Sequence, residues 1–508
     1  MTTTPLGPSA GLDRRNFLKA GGLTAGTALF GGGALQLLTA RMAEAAPRSP
    51  KAKQADYGVL RPQAARNTGE QWLALPAGFS YTILTRTGAP MTDGTLTPRA
   101  HDGMGAFALP GGRTRLICNH EVRFGTVDGK PTQGTYVIDG AGSYDPGAGG
   151  GTTTIDFDPR AFQRPSGGKV QDYVSMRGSV VNCAGGSAYR QSGWLTSEEI
   201  VQGPGASAPG ITQRHGYNFL VPVGTERGAA ATPRPLTAMG RFAHEAAVAD
   251  QATGIVYETE DAGSGRGSGF YRFLPVDRDD LSQGGVLQML AVAGRPQADL
   301  REGQRQGQPL PVAWVTITQP DPEGSNDVFL EGFSKGGAKF NRLEGVWPGG
   351  GSIFFASTSG GDVKNGDRNS DGFQEGYGQI WEYRPQGNDG GVLVLLFESP
   401  DGDVLDSPDN IVVTPRGGLL LCEDDASSAN LGQDDESRFF GEDKNRLIGL
   451  TLDGVAFPFA ENIVNESELA GACWSADGQF LFVNVYGEDV AGSGGTLAIT
   501  GPWERGAL

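Results

Sequence analysis

Leu419-Leu-Leu-Cys-Glu-Asp-Asp425 is a short apolar run that stops on a cluster of acids. Five more runs of this kind end on polar, mostly acidic residues. They are Leu116-Ile-Cys-Asn-His-Glu121, Trp194-Leu-Thr-Ser-Glu-Glu199, Ile255-Val-Tyr-Glu-Thr-Glu-Asp261, Ile353-Phe-Phe-Ala-Ser-Thr-Ser359 and Leu481-Phe-Val-Asn-Val-Tyr-Gly487. Each is too short for a helix and reads as a β-strand. Hairpin-type turns precede several of them: Pro110-Gly-Gly112, Asp250-Gln-Ala-Thr-Gly254, Pro415-Arg-Gly-Gly418 and Ala476-Asp-Gly478. A further strand follows most, as in Gly269-Phe-Tyr-Arg-Phe-Leu274, Gln379-Ile-Trp-Glu-Tyr383, Asn445-Arg-Leu-Ile-Gly-Leu-Thr451 and Thr496-Leu-Ala-Ile-Thr500. The six runs start 61 to 98 residues apart, whereas a compact four-stranded blade takes roughly 40–50 residues. The spacing predicts an all-β fold, a six-bladed β-propeller with long inter-strand loops. A pair of β-sandwiches would also repeat such strands, without radial symmetry. Phe79-Ser-Tyr-Thr-Ile-Leu84 is a candidate for the strand that closes the last blade on the first.

The repeat has a chemical consequence. Equivalent strands ending at one rim of a central channel would bring Glu121, Glu198, Glu199, Glu260, Asp261, Glu423 and Asp424 together. Like charges at a few ångströms repel strongly, so bound cations are the natural compensation. The same acids on separate solvated loops would need none. Carboxylates alone favour hard ions such as Ca²⁺, and a thiolate among them favours a transition metal.

The first 46 residues read as an export leader. Asp13-Arg14-Arg15-Asn16-Phe17-Leu18-Lys19 is a paired arginine followed by apolar residues and a lysine, and a weakly apolar Gly/Ala-rich run extends to about Leu38. Ala43-Glu44-Ala45 supplies the small-x-small cleavage pattern. The reading divides the chain into a twin-arginine signal peptide over 1–45 and one propeller domain over 46–508. The expected partners are the twin-arginine translocase during export and then a small substrate. The expected location is the periplasm or the exterior, with no permanent membrane anchor and a monomeric state. That route carries folded proteins, often ones already loaded with a metal. Removing residues 1–45 shifts the net charge from −17 to −19. So acidic a chain argues against nucleic-acid binding, and it would repel phosphorylated substrates unless cations reverse the sign locally.

Several local patterns carry candidate chemistry. Asn182-Cys183-Ala184-Gly185-Gly186 sets a thiol in a glycine turn ahead of Glu198, although a lone cysteine is commonly a small buried hydrophobe. Arg241-Phe-Ala-His-Glu245 precedes an apolar run, and Ser407-Pro-Asp-Asn410 opens the strand leading to Cys422-Glu423-Asp424. In Asn341-Arg342-Leu343-Glu344 a guanidinium stands two residues from a carboxylate. Such an arginine can grip a phosphate or form a structural ion pair. Four cysteines could form two disulfides, but nothing in their spacing demands it. No Gly-x-Ser-x-Gly elbow, His-Glu-x-x-His helix or P-loop is present.

In these residues the chain resembles the PhoX-type alkaline phosphatases. The likeness runs through Ala100-His-Asp-Gly-Met104, Asn119-His-Glu121, Asn182-Cys-Ala-Gly-Gly186, His215-Gly-Tyr217 and Gly240-Arg-Phe-Ala-His-Glu245. It continues in Tyr257-Glu-Thr-Glu-Asp261, Arg342-Leu-Glu344, Ser407-Pro-Asp-Asn410 and Gly471-Ala-Cys-Trp-Ser475. The resemblance implies a propeller with a cluster of Fe³⁺ and Ca²⁺ that hydrolyses phosphate monoesters with a metal-bound oxygen rather than a serine. It implies Cys183 and nearby glutamates as iron ligands, with Glu121, Glu245, Glu344 and Asp409 as further metal ligands. Together with the strand-end acids, the candidate ligands are Asn119, Glu121, Cys183, Glu198, Glu245, Glu260, Asp261, Glu344, Asp409, Glu423 and Asp424. Arg342 would bind phosphate, with Cys183 and Glu344 beside it in the catalytic centre. Two departures from the family pattern stand out: Ser187-Ala-Tyr-Arg-Gln-Ser-Gly193 replaces a Thr-Pro-Trp-Gly-Thr run, and Leu343 replaces a proline.

Asp367-Arg-Asn369-Ser-Asp371-Gly372 lies outside that pattern. It alternates oxygen-bearing residues like the opening of a calcium loop, with Glu375 or Asp362 available to complete a shell, or it is an ordinary Asp/Asn/Gly turn. Two other functions fit an acidic propeller: a calcium-dependent, lactonase-like hydrolase and a non-catalytic calcium-binding protein. Neither needs Cys183.

Overall fold

The computed structural model describes residues 55–508 except 128–129, 206–207, 263–265, 388 and 425–444. The leader over 1–45 and the end of the first quoted run, Asp425, fall outside the described residues. The fold is all-β and β-propeller-like. Antiparallel sheets stand around a common axis, each beginning at the axis and stepping outward strand by strand.

The strands nearest the axis are His101–Leu109, Asn182–Ser187, His244–Ala249, Leu343–Gly349, Pro408–Val413 and Leu469–Trp474. They pack side by side in that order, and the last packs back against the first. Pro309–Thr316 pairs with both Gly285–Val292 and Gly390–Glu398, and so joins the sheets of the third and fourth inner strands into one nine-stranded sheet. Ser80–Ile83 pairs with Gly495–Thr500 as the outermost strand of the last sheet, as expected of the Phe79 segment. Closure of this kind removes an exposed strand edge. Aromatic side chains fill the wedges between sheets. Phe270 stacks on Phe355 at 4.2 Å, with Trp381 and Tyr383 buried beside them. All four cysteines are buried and free. No helix among the described residues is long and apolar enough to cross a membrane.

The six runs quoted from the sequence become the second strands, one position out from the axis. The device that builds the rim lies on the first strand. In every sheet the pairing of first and second strands slips at one place, so that two residues of the inner strand face one of its neighbour. The doublets spanned by these bulges are Asp102-Gly103, Cys183-Ala184, Glu245-Ala246, Glu344-Gly345, Asp409-Asn410 and Gly471-Ala472. A bulge bends its strand and re-aims side chains. Here it faces Asp102, Cys183, Glu245, Glu344 and Asp409, the first members of five of the doublets, toward the rim.

One backbone hydrogen bond closes each repeat above the bulge. The N–H groups of Glu121, Glu199, Asp261, Thr358, Asp424 and Tyr486 donate to the carbonyls of Ala100, Val181, Ala243, Arg342, Ser407 and Glu468, at 2.9 to 3.2 Å. Ala100, Val181, Arg342 and Ser407 adopt left-handed φ of 53°, 52°, 44° and 42° to make it. Few non-glycine residues do so, and strain of this kind concentrates at functional sites.

The second member of every doublet but Asp409-Asn410 is glycine or alanine because the inner strands nearly touch. A Cβ on Gly103 would come within 2.5 Å of Ala184 Cα, and one on Gly345 within 2.8 Å of the Ile411 nitrogen. The axis here narrows to a cavity of about 20 Å³ between Gly103, Ala184, Gly345 and Gly471, room for about one water. We therefore expect Gly103→Ala to cost roughly 1–3 kcal/mol by overpacking. Chemical denaturation would measure it, and stability equal to the parent would contradict the close approach.

Candidate metal centre and phosphate-binding mouth

Four groups of ligand-type atoms form at the rim, each with its members within 4.8 Å of one another. They are Asp102, Glu121 and Cys183; Cys183, Glu245 and Asp409; Glu199, Asp261 and Glu344; and Asp409, Asp424 and Glu468. Cys183 and Asp409 each belong to two groups, so these sites run together. The bulges supply Asp102, Cys183, Glu245, Glu344 and Asp409, the second strands supply Glu121, Glu199, Asp261 and Asp424 just past the pairing, and Glu468 precedes the last inner strand. The sixth bulge begins with Gly471, where a Cβ would lie 2.4 Å from the Asp102 carbonyl. No side chain fits there.

The electrostatics are those of a site prepared for cations. Burial raises the carboxyls of Asp102, Glu199, Glu245, Glu344 and Glu468 well above the usual carboxylate range, and their acidic neighbours raise them further. Asp409 is pushed up to about 7 by burial and by Asp424. Burial also drives the Cys183 thiol well up. Both carboxylate oxygens of Asp102 and of Glu245 are buried with no N–H or O–H donor reaching them. Native structures rarely leave such groups unsatisfied, and an unpaired buried charge costs several kcal/mol. One thiol among many carboxylates, two of them lacking N–H and O–H donors, suits bound metal ions.

Two arginines and a tyrosine stand at the mouth. Arg342 reaches Asp261 Oδ2 at 2.8 Å and Glu344 Oε1 at 3.2 Å. Arg123 reaches Glu121 and, at 2.7 Å, Glu199. The Tyr486 hydroxyl donates to Glu121 Oε2 at 2.7 Å.

The structure turns four of the residues expected as ligands elsewhere. Successive strand residues point to opposite faces, so of each pair Glu198-Glu199, Glu260-Asp261 and Glu423-Asp424 only the second joins a group. Glu198 accepts from His215 Nδ1 at 2.6 Å and from the Val180, Gly216 and Tyr217 amides. Glu260 takes Arg266, the Gly269 amide and the Tyr271 hydroxyl. Glu423 binds Arg446 through Nε and Nη2, both at 2.6 Å. Asn119 is a strut under the site. It donates to the carbonyls of Cys183 and Ala184 at 2.8 and 2.7 Å and accepts from Trp194.

Asp367, Asn369 and Asp371 sit on a hairpin of Lys364–Arg368 with Gln374–Gly376, and neither Asp367 nor Asp371 belongs to the four rim groups. Asp371 pairs with Arg301 at 2.6 Å and Asn369 donates to Asn341 at 2.7 Å, beside Arg342. Asp362, a proposed completing ligand, accepts from the Gly303 amide. Asp102, Glu468 and Arg123 were not singled out from the sequence as site residues. The usable signal for Asp102 was the doublet of a ligand-type residue followed by glycine or alanine, shared with Cys183-Ala184, Glu245-Ala246 and Glu344-Gly345. Glu468 and Arg123 follow no such pattern.

The sequence profile of the family described as Alkaline phosphatase PhoX matches residues 57–489. No match is found among curated proteins. Among solved structures, Pseudomonas fluorescens PhoX in complex with vanadate, a transition state analogue, is similar at 17% identity. The alignment covers 90% of this chain and 99% of that one, with a TM-score of 0.60; at this identity the likeness speaks to the fold. A luciferin-regenerating enzyme (9% identity, 80% and 92% covered, TM-score 0.34) and a putative gluconolactonase (10%, 87% and 98%, 0.33) are much weaker matches.

Two outcomes follow from the charge balance. A carboxyl whose folded pKa is raised holds its proton in the fold and loses it in the unfolded chain. It therefore contributes stability below the unfolded pKa that is lost as pH rises through the folded value. For Asp409 that window runs from 3.8 to about 7. The chelated, metal-free protein should thus melt at a lower temperature at alkaline than at mildly acidic pH, and cations should reverse the loss. Glu245→Gln should stabilise the metal-free protein at alkaline pH by about 1–3 kcal/mol while lowering its metal content. Calorimetry with elemental analysis reads both, and a metal-free Tm that rises with pH would contradict the charge balance.

Proposed function

The chain belongs to the alkaline phosphatase PhoX family and is a phosphoric monoester hydrolase, and from that premise we propose that it works through a mixed cluster of Fe³⁺ and Ca²⁺ held at the ring mouth. The family is metal-dependent, and this assignment sets aside the lactonase-like and non-catalytic readings. The observation that carries the cluster is Cys183 lying within 4.8 Å of Glu245 and Asp409, while Glu245 has no hydrogen-bond donor. A thiolate selects a transition metal, and the oxygen-only groups suit calcium. Asp102, Glu121, Cys183, Glu245 and Asp409 would hold iron, and Glu199, Asp261, Glu344, Asp424 and Glu468 the calcium ions. Bound there, the cations would neutralise the phosphoryl charge and activate water for attack.

The protein's own groups do the rest. Arg342, held in a left-handed backbone conformation by the Thr358 amide at 2.9 Å, presents its guanidinium at the mouth for the ester phosphate. Ser357 Oγ donates to the Asn341 carbonyl at 2.6 Å, which stiffens the same turn. The small residues of the bulges close the axis, so substrate enters from the rim. The vanadate seen in the Pseudomonas fluorescens protein supports a mouth shaped for a phosphoryl group. The proposal includes six blades, with the nine-stranded sheet counted as two blades bridged by Pro309–Thr316. The ring of inner strands supports that count. It further includes a monomer exported folded through the twin-arginine translocase to the periplasm or exterior, on the strength of the Arg14-Arg15 leader.

Purified protein should contain both iron and calcium by elemental analysis and release phosphate from a chromogenic phosphate ester in a chelator-sensitive manner. Arg342→Ala should lower kcat/KM by about 10²–10³. Cys183→Ala should remove iron in preference to calcium. Calcium without iron in active protein would overturn the mixed cluster, and absence of phosphate release with full metal content would overturn the phosphatase mechanism drawn here.

A further inference from the structure

Arg123 mirrors Arg342 across the mouth. Arg342 joins Asp261 to Glu344, and Arg123 joins Glu121 to Glu199. Glu199 lies within 4.8 Å of both Asp261 and Glu344. Two guanidiniums therefore flank one patch of carboxylates, and both stay open to solvent, with side chains 56% and 33% exposed. The backbone under Arg123 is tied down on two sides. Its carbonyl accepts from Arg99 Nη2 at 3.3 Å, and the carbonyl of Val122 accepts from the Val181 amide, just ahead of the neighbouring inner strand, at 3.3 Å. Both ion pairs of Arg123 use Nη2, so Nε and Nη1 remain without a partner among the described residues.

We propose that Arg123 is a second phosphate-binding residue, which grips the ester phosphate from the side opposite Arg342. The inference rests on the phosphatase reading and deepens it. A phosphate monoester dianion offers three outer oxygens, more than one guanidinium can satisfy, and a fork on either side fixes its orientation as well as its charge. Cations that draw off the charge of Glu121 and Glu199 weaken the Arg123 ion pairs. The guanidinium is then free to face the substrate. In a chain of net charge −17, paired arginines at the mouth also give an approaching anion a local attraction.

The test uses metal-loaded wild type, Arg123→Ala, Arg123→Lys and Arg342→Ala. It reads inorganic phosphate binding by calorimetry, KM and kcat on a chromogenic phosphate ester, and metal content by elemental analysis. Arg123→Ala should weaken inorganic phosphate binding and raise KM by about 10–100-fold, with metal content at the wild-type level. The lysine variant should recover only part, since it restores charge without the fork. Unchanged phosphate binding in fully loaded Arg123→Ala would overturn the proposal. So would loss of metal in that variant with recovery by lysine, because Arg123 would then serve only to balance ligand charge. Wild type that binds phosphate but hydrolyses no ester would defeat the phosphatase reading and leave Arg123 judged by the binding data alone. Wild type that binds no phosphate would defeat both.

Discussion

Repulsion between buried acids is the constraint on which the rest of this protein depends. Carboxylates within 4.8 Å of one another repel by about 3 kcal/mol per pair at an effective dielectric constant near 20. Burial adds a desolvation cost for each ion. A ring that gathers Asp102, Glu121, Glu199, Glu245, Asp261, Glu344, Asp409, Asp424 and Glu468 around one thiol is tolerable only if the acids stay protonated or cations enter. The raised carboxyls of Asp102, Glu245 and Glu344 describe the first condition, and the activity requires the second. Stability and function thus pull on the same residues in opposite directions, a common arrangement at functional sites.

The bulge reconciles this cluster with an ordinary antiparallel fold. A regular inner strand would alternate its side chains, leaving each sheet one residue aimed at the rim and no way to bring the next strand's end beside it. Two residues opposite one, capped by a hydrogen bond from the following strand, put a bulge residue and a second-strand residue of the same sheet side by side. The cost appears as left-handed backbone at Ala100, Val181, Arg342 and Ser407 and as the requirement for glycine or alanine at most second doublet positions. Asn410 is the larger exception, and its side chain is put to use: Oδ1 accepts from the Gly471 amide of the next inner strand.

The sequence made the architecture legible because hydrophobic runs with hairpin turns recur whatever the loops between them do. It also located the acids near one another, since each run ended where its strand did. It did not distinguish which acid of a pair faces the axis. Glu198 and Glu199 are chemically interchangeable on paper, and only the register against Asn182 decides that Glu198 meets His215 while Glu199 meets Asp261. The same holds for Glu260 and Glu423, whose arginine partners, Arg266 and Arg446, stand 6 and 23 residues away. The Asp367 run shows a related limit: its alternating oxygen-bearing residues fit a calcium loop and an ordinary turn alike, and the structure places them on a hairpin with Asp371 held by Arg301.

The acidity of the whole chain takes on a specific meaning beside this rim. An acidic surface holding an anionic substrate needs a local reversal of sign, and the ten ligand-type residues of the four groups can supply it only through the cations they gather. In the proposed mechanism Arg342 and Arg123 then act on a field already inverted. Without cations each guanidinium is held by carboxylates of the cluster, so the mouth offers an anion little. Once cations claim those carboxylates, both guanidiniums can turn outward. On the proposed reading, metal loading and substrate recognition are thereby one event: the residues that would accept the ions are those that otherwise hold the two guanidiniums.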